Sequence, residues 1–324
     1  MTGFWGEAIG LLEKNGKTTI IAPELEVGRA ISESEDCDVI TAERGSGLIS
    51  TLIQKIKKNH VCTDCQNYST MLSLKKSIPH IKSSVEPFYN ARIIKDEKEI
   101  QILKKASKII DEMFTICSKK IKVGQKESEL QTILMTYAME QGMFDTGYAS
   151  TLNPLIIAGG PNGALPHAQV SQRKFKKGDL VVTDLTLRYK GYVSDATRTF
   201  ALGKISSQAN EAYEIVKESQ RLGLKSVKLN VDCKDVDSAC RKYIEEKNYG
   251  QYFIHSTGHG IGLEVHEFTT ISYRSNTKLK ENMAITIEPG VYLENKFGIR
   301  IEDSLIVKDR PIIMHKFTKD LLRI

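Results

Sequence analysis

Asp184, Asp195, His259, Glu288 and Glu302 are four carboxylates and one imidazole, each set in a strand-like or glycine-rich stretch of the second half of the chain. Hard oxygen donors with a single nitrogen suit a pair of closely spaced divalent cations. Carboxylates can bridge two ions and cancel most of their charge, while open positions hold a water that the ions acidify. If these side chains converge, the chain is a hydrolase with a metal-activated nucleophile. Any one acid alone reads more plainly as an exposed strand residue or a salt-bridge partner, so convergence needs a reason in the fold.

A weak internal repeat supplies that reason. The first half runs as a helix, a break at Lys122-Val-Gly-Gln, a second helix over about 127–141, and a hairpin from Gly178 to Phe200. The second half runs as a helix over about 207–228, a break at Lys228-Leu-Asn-Val, a helix over about 234–247, and a hairpin from Glu281 to Val307. Each hairpin places one acid on its first strand, Asp184 or Glu288. Each places another four residues after a turn glycine, Gly191 to Asp195 and Gly298 to Glu302. Two related halves would face each other across a pseudo-two-fold axis, with all four acids at the centre. Arg300 and Glu302 are two apart and share a strand face. The acids lie in apolar strands, where an unpaired carboxylate is costly to bury. His259 sits in the segment His255–Glu267, between Gly258, Gly260 and Gly262, which let the backbone approach a ligand, and His255 and His266 flank it.

The elements that carry these residues can be read outward from there. Asp96 followed by Glu99 is a capping box. The helix behind it carries Ile100, Leu103, Ala106, Ile110, Phe114, Cys117 and Ile121 on one stripe and ends by Gly124. A boundary just before this helix divides the chain into residues 1–91 and 92–324. The first part reads as a small α/β unit. It has a strand over 17–23, short strands at Val39-Ile40 and Val61-Cys62, and a helix over 48–58 with Leu48, Leu52, Ile53 and Ile56 at helical spacing.

Bulk properties exclude other classes. Hydrophobic content of 40% and charged content of 27% are ordinary for a soluble globular protein. The net charge is +6, but its lysines fall in short helical clusters (Lys55, Lys57, Lys58; Lys104, Lys105; Lys119, Lys120, Lys122). No aromatic residues interleave with them, so they read as solvated faces and not as a nucleic-acid surface. The first residues lack a basic region followed by an apolar core, and no stretch approaches ~18 apolar residues, so neither a signal peptide nor a membrane span is expected. Six cysteines without a framework pattern read as reduced thiols of a cytoplasmic protein, and Cys62-Thr-Asp-Cys65 as an incidental CxxC.

With these motifs assembled, the chain resembles the prolidase, aminopeptidase P and methionine aminopeptidase superfamily, the pita-bread metallopeptidases. The carrying motifs are Asp184 through SDATRT, His255–Glu267, ITIEPGVY around Glu288 and GIRIEDSLIV around Glu302. The resemblance implies an α+β pita-bread catalytic domain with a small creatinase-type α/β domain before it. It implies two divalent ions, Mn²⁺ first, with Co²⁺, Fe²⁺ or Zn²⁺ as alternatives. Asp184 would chelate one ion, His259 with Glu288 the other, and Asp195 and Glu302 would bridge them with a hydroxide between. His167, His266, Arg300, His255 and Tyr292 match positions expected to bind substrate. Glu288, His266 and His167 would take part in catalysis, with Glu288 relaying a proton and His266 steadying the tetrahedral intermediate.

An N-terminal domain together with a complete ligand set implies hydrolysis of the Xaa-Pro bond of dipeptides or short peptides, in a homodimer without a membrane or nucleic-acid partner. The rivals are an aminopeptidase of different N-terminal specificity and a catalytically silent peptide-binding module on the same fold. Four departures from the family pattern stand out. Thr186 stands where a glycine is common, Glu267-Phe-Thr-Thr lacks a frequent proline, and Asn282 stands where glycine is common. The start, Met1-Thr-Gly-Phe-Trp, resembles a segment internal to the N-terminal domain, as though its first strand and helix were missing.

Overall fold

The computed structural model describes residues 3–42, 47–56, 60–147 and 155–324. It divides into two compact units, residues 1–88 and 89–324.

The smaller unit contains strands β1 (Ile9–Leu12), β2 (Thr18–Ala22) and β3 (Asp38–Thr41) in one sheet, with β1–β2 antiparallel and β2–β3 parallel. Helix α1 (Glu24–Glu33) forms the crossover that the parallel pair requires. Helix α2 (Gly47–Ile56) buries Leu52 and Ile56, as its periodicity predicts. Lys57 and Lys58 lie outside the described residues, as do Met1 and Thr2. A parallel pair of β4 (Val61–Thr63) and β5 (Ile81–Ser83), with α3 (Tyr68–Ser77) between them in sequence, completes the unit.

The larger unit begins within α4 (Glu86–Ile93). Helix α5 (Glu97–Lys120) starts at the predicted capping box, with the Asp96 carboxylate accepting from Glu99 N–H and Glu99 accepting from Asp96 N–H. Its stripe from Ile100 to Cys117 is fully buried. The helix stops at Lys120, before Gly124, because Ile121 leaves the helical conformation. Helix α6 (Glu127–Glu140) and the strands β6 (Met143–Phe144), β7 (Leu155–Gly159), β8 (Leu180–Tyr189) and β9 (Tyr192–Ala201) follow. The β8–β9 hairpin is a continuous ladder of ten residue pairs. Lys190 and Gly191 at its tip both take positive φ, which matches the turn to the strand twist. One apolar core joins α5 and α6 to these strands.

The second half repeats the helix pair as α7 (Ser207–Ser226) and α8 (Cys233–Glu246), packed on a second core. Its strands depart from the expected single hairpin. They are β10 (Gly258–Gly260), β11 (Glu267–Ile271), β12 (Ala284–Ile287), β13 (Gly290–Leu293), β14 (Phe297–Arg300), β15 (Asp303–Ile306) and β16 (Ile312–Ile313). β12 and β15 lie in a five-stranded sheet with order β11-β10-β12-β15-β16, whereas β13 and β14 form a separate ribbon. Glu288 and Glu302 fall in the two breaks and not on strands. The cause is a change of backbone partner. Glu288 N–H donates to Thr257 O and Glu302 N–H to Thr197 O, and Pro289 has no N–H with which to continue a ladder. Gly298 is likewise not a turn residue. The turn lies at 294–296 with Asn295 at φ 59°, and Gly298 lacks a side chain because the backbone of Gly163 packs against it.

Candidate metal centre

The two breaks bring the acids to the ladder of the first hairpin. Asp195, His259 and Glu302 each offer one ligand atom, and these atoms lie within 4.8 Å of one another. Glu288 joins them, its Oε1 3.4 Å from His259 Nε2, and Asp195 Oδ2 is 3.6 Å from the same nitrogen. Asp184 stands at the side of this group, with Oδ2 bonded to Arg300 Nη2 and Oδ1 3.2 Å from the Thr186 hydroxyl. The five expected ligands thus come from β8, β9, β10 and the two breaks.

The imidazole shows what the centre lacks. His259 Nδ1 lies 3.1 Å from Gly260 O and can only donate to a carbonyl, so in the neutral ring Nε2 carries the bare lone pair. Burial holds His259 neutral, lowering its pKa to about 3, and the neighbouring His266 adds to this. A lone pair therefore faces two carboxyl groups at 3.4–3.6 Å, with no ring proton to bind them. The carboxylates are strained in the same sense. Burial first, then the neighbouring acids, raise Asp195 and Glu302 well above the usual range, and burial raises Glu288 to about 7. Glu302 Oε1 is buried without a hydrogen-bond partner. Excess negative charge, an orphaned oxygen and a nitrogen lone pair aimed at one spot are the donor set of a divalent cation.

A second layer of groups holds these donors. Thr197 donates to Glu302 Oε2 at 2.7 Å and accepts from Arg300 Nε at 3.1 Å. Arg300 and Glu302 therefore meet one hydroxyl, as their shared strand face predicts. Arg300 Nη1 donates to the Tyr292 hydroxyl at 2.7 Å, which in turn lies 2.9 Å from His255 Nε2. His255 Nδ1 contacts Ser256 O, so the tyrosine donates to Nε2. Burial and the Arg300 charge keep His255 neutral, lowering its pKa to about 4. Burial alone would favour losing the Arg300 proton, yet Tyr292, Asp184 and Glu288 hold it charged.

His266 is exposed, with its ring 4.3 Å from that of His259. Its loop is fixed from below by Glu267, which accepts from Leu263 N–H and pairs with Lys95 and Arg92. His167 is also exposed, on a loop held by the buried Glu127 carboxylate, which accepts from Gly159, Asn162 and Ser171. His167 lies near enough to His255 and His266 to disfavour a second positive charge on either. Two departures have local accounts. Asn282 adopts φ 66°, a left-handed conformation that asparagine tolerates, and Phe268 stacks on Tyr89 with ring centres 5.7 Å apart.

Sequence reasoning missed the hydroxyls. Thr186, Thr197, Thr286 and Ser304 each lie two residues from one of the four acids. Thr286 contacts Glu288 Oε1 and His259 N–H, and Ser304 donates to Asp195 O. A serine or threonine at strand period beside every acid was the signal that could have found them.

Residues 101–309 match metallopeptidase family M24, and residues 1–94 match the creatinase/prolidase N-terminal domain. The chain belongs to metallopeptidase family M24. This metallopeptidase is 40% identical over 240 residues to the Xaa-Pro dipeptidase of Pyrococcus horikoshii, a match covering 73% of this chain and 66% of that protein. Its structure matches the Xaa-Pro dipeptidase from Bacillus anthracis with a TM-score of 0.91 at 33% identity, covering 100% of this chain and 91% of that one. It matches the X-Pro aminopeptidase from Thermotoga maritima with a TM-score of 0.88 at 31% identity, covering 100% and 92%. The metallopeptidase therefore has the pita-bread fold preceded by a creatinase-type N-terminal domain. No helix among the described residues is long and apolar enough to cross a membrane.

Proposed function

We propose that this metallopeptidase hydrolyses the Xaa-Pro bond of dipeptides. Asp184, Asp195, His259, Glu288 and Glu302 hold two divalent ions, Mn²⁺ before Co²⁺, Fe²⁺ or Zn²⁺. The observation that carries the metal reading is the His259 lone pair facing two carboxylates. The substrate reading rests on kinship with dipeptidases of that name. When bound, the ions acidify a water and polarise the scissile carbonyl.

The protein's own groups supply the rest. Glu288, whose Oε1 stands 3.4 Å from His259 Nε2 at the edge of the centre, is the carboxylate placed to take a proton and return it. As the water oxygen bonds to the carbonyl carbon, Glu288 accepts the water proton. It then delivers that proton to the prolyl nitrogen as the C–N bond breaks. An Xaa-Pro nitrogen carries no hydrogen of its own, so protonation is what lets it leave. His266 donates to the oxyanion that forms at the carbonyl. His167, His255, Tyr292 and Arg300 orient the peptide. Residues 1–91 serve as the creatinase-type domain and 92–324 as the catalytic domain of a cytoplasmic homodimer. A solution mass of 36.3 kDa by light scattering would exclude the dimer.

Release of proline from Gly-Pro and Ala-Pro with Mn²⁺ or Co²⁺, beside a Glu302→Ala variant, tests the reading. Equal release by both proteins, or none from either with any metal, overturns it. Faster cleavage of Ala-Pro-Ala than of Ala-Pro would favour the aminopeptidase reading, which the Thermotoga likeness motivates.

A further inference from the structure

We propose that Thr186 is a positioning residue that presets the metal-binding carboxylates and so sets the affinity of the centre. Thr186 pairs directly with Asp195 across the β8–β9 ladder and lies two residues from Asp184 on one strand face. Its hydroxyl donates to Asp195 Oδ1 at 2.6 Å, the shortest of the hydroxyl contacts to an acid side chain described above. The bond fixes the carboxylate plane, turning Oδ2 toward His259 Nε2 and into the group with Glu302. The same hydroxyl lies 3.2 Å from Asp184 Oδ1, and Arg300 holds the other Asp184 oxygen. One proton donor thus sits between two like charges that would otherwise push each other off the geometry an ion needs.

Of the other three hydroxyls, Thr197 and Thr286 each meet a single acid side chain, and Ser304 donates to the Asp195 backbone carbonyl. Only Thr186 spans two, one from each strand of the first hairpin. A donor in this position does two opposite things to a ligand. It withdraws some basicity from Asp195, and it removes the reorganisation that the carboxylates would undergo on binding. The second effect dominates, because the hydroxyl engages Oδ1 and leaves Oδ2 turned to the shared centre. Outer-layer partners of this kind typically change metal affinity by ~10–100-fold.

The inference rests on the reading of these acids as metal ligands and not on any substrate. Its test is Mn²⁺ binding to the full-length protein, by equilibrium dialysis and titration calorimetry without peptide. Thr186→Val keeps the shape and removes the hydroxyl, and Thr186→Ser keeps the hydroxyl and removes the methyl. The valine variant should bind Mn²⁺ roughly 10–100-fold more weakly, and the serine variant should stay close to wild type. Thermal melts of the metal-free proteins establish that each is folded, and Thr186→Ala replaces valine if valine does not fold. Equal affinity of the valine and serine variants, whether both weak or both wild-type-like, overturns the proposal, as does tighter binding by valine. No Mn²⁺ binding by wild type overturns the metal reading and this inference with it. Mn²⁺ binding without cleavage of Gly-Pro removes only the substrate reading.

Discussion

Glu302 and Asp303 are neighbours in the chain, equally buried at 1% and 0% exposure, and opposite in electrostatic state. Their side chains meet different partners. Asp303 meets Arg198 at 2.7 Å, Lys319 at 2.7 Å and Gln220 at 2.9 Å. Burial works against its ionisation, but Arg198 and Lys319 prevail and hold the carboxyl well below its ordinary value. Glu302 meets Thr197 through one oxygen and nothing through the other, among Asp195, Glu288 and Asp184. A buried carboxylate with its cations supplied by the chain is part of the fold. One whose cations are withheld is stability forgone for binding, and the missing charge identifies the ligand.

Removing Asp303 should break the contrast most severely. Asp303→Ala leaves the Arg198 guanidinium buried without its counter-charge and should cost ~3–5 kcal/mol in chemical denaturation. A loss below ~1 kcal/mol would show that both acids are dispensable to the fold. Glu302→Gln should do the reverse. Metal-free stability should hold or rise, while Mn²⁺-dependent hydrolysis falls by at least ~10²-fold, as when one group stabilising the reacting charge is lost. A strongly destabilised metal-free Glu302→Gln protein would count against the assignment.

The pH dependence sharpens the same point. A carboxyl whose pKa folding raises contributes most below its ordinary value and loses that contribution as pH rises through the folded one. Glu288 does so through about 7, and Asp195 and Glu302 shift in the same direction. Asp303 has the opposite sign, and its contribution is lost only in acid. His255 and His259 are held down at about 4 and 3, and His266 is also lowered, so near pH ~6.5 their unfolded forms still bind protons and add an opposing rise in stability, which the three raised carboxyls outweigh. The metal-free protein should therefore lose ~2–4 °C in Tm between pH 6.5 and 8, and added Mn²⁺ should abolish that loss. A Tm that rises over this range without metal would contradict the charge imbalance. The smallest effect belongs to Lys319, which is 30% exposed. Lys319→Ala should cost about 1 kcal/mol, because solvent screens it and Arg198 remains.

Much of this was legible in the sequence because it is local. The Asp96–Glu99 capping box and the α5 stripe follow from spacing alone, as does the turn at Lys190-Gly191 that sets the β8–β9 register. The five candidate ligands and the internal repeat were legible as residue types at recurring intervals. The breaks at Glu288 and Glu302 were not, apart from the hint of Pro289. They depend on backbone partners, Thr257 and Thr197, that belong to other elements. The state of His259 was hidden for the same reason. It depends on which side of the ring meets Gly260 O and on how deeply the ring is buried.

The sequence by itself determined which donors the protein owns, their strand parity and the halves that carry them, since these depend on residue type and period. Only the tertiary structure decided that Glu302 would be left without a paired cation while Asp303, one residue on, paired with two. That outcome depends on Arg198, 105 positions away in the chain, and Lys319, 16 away, meeting Asp303 and not Glu302.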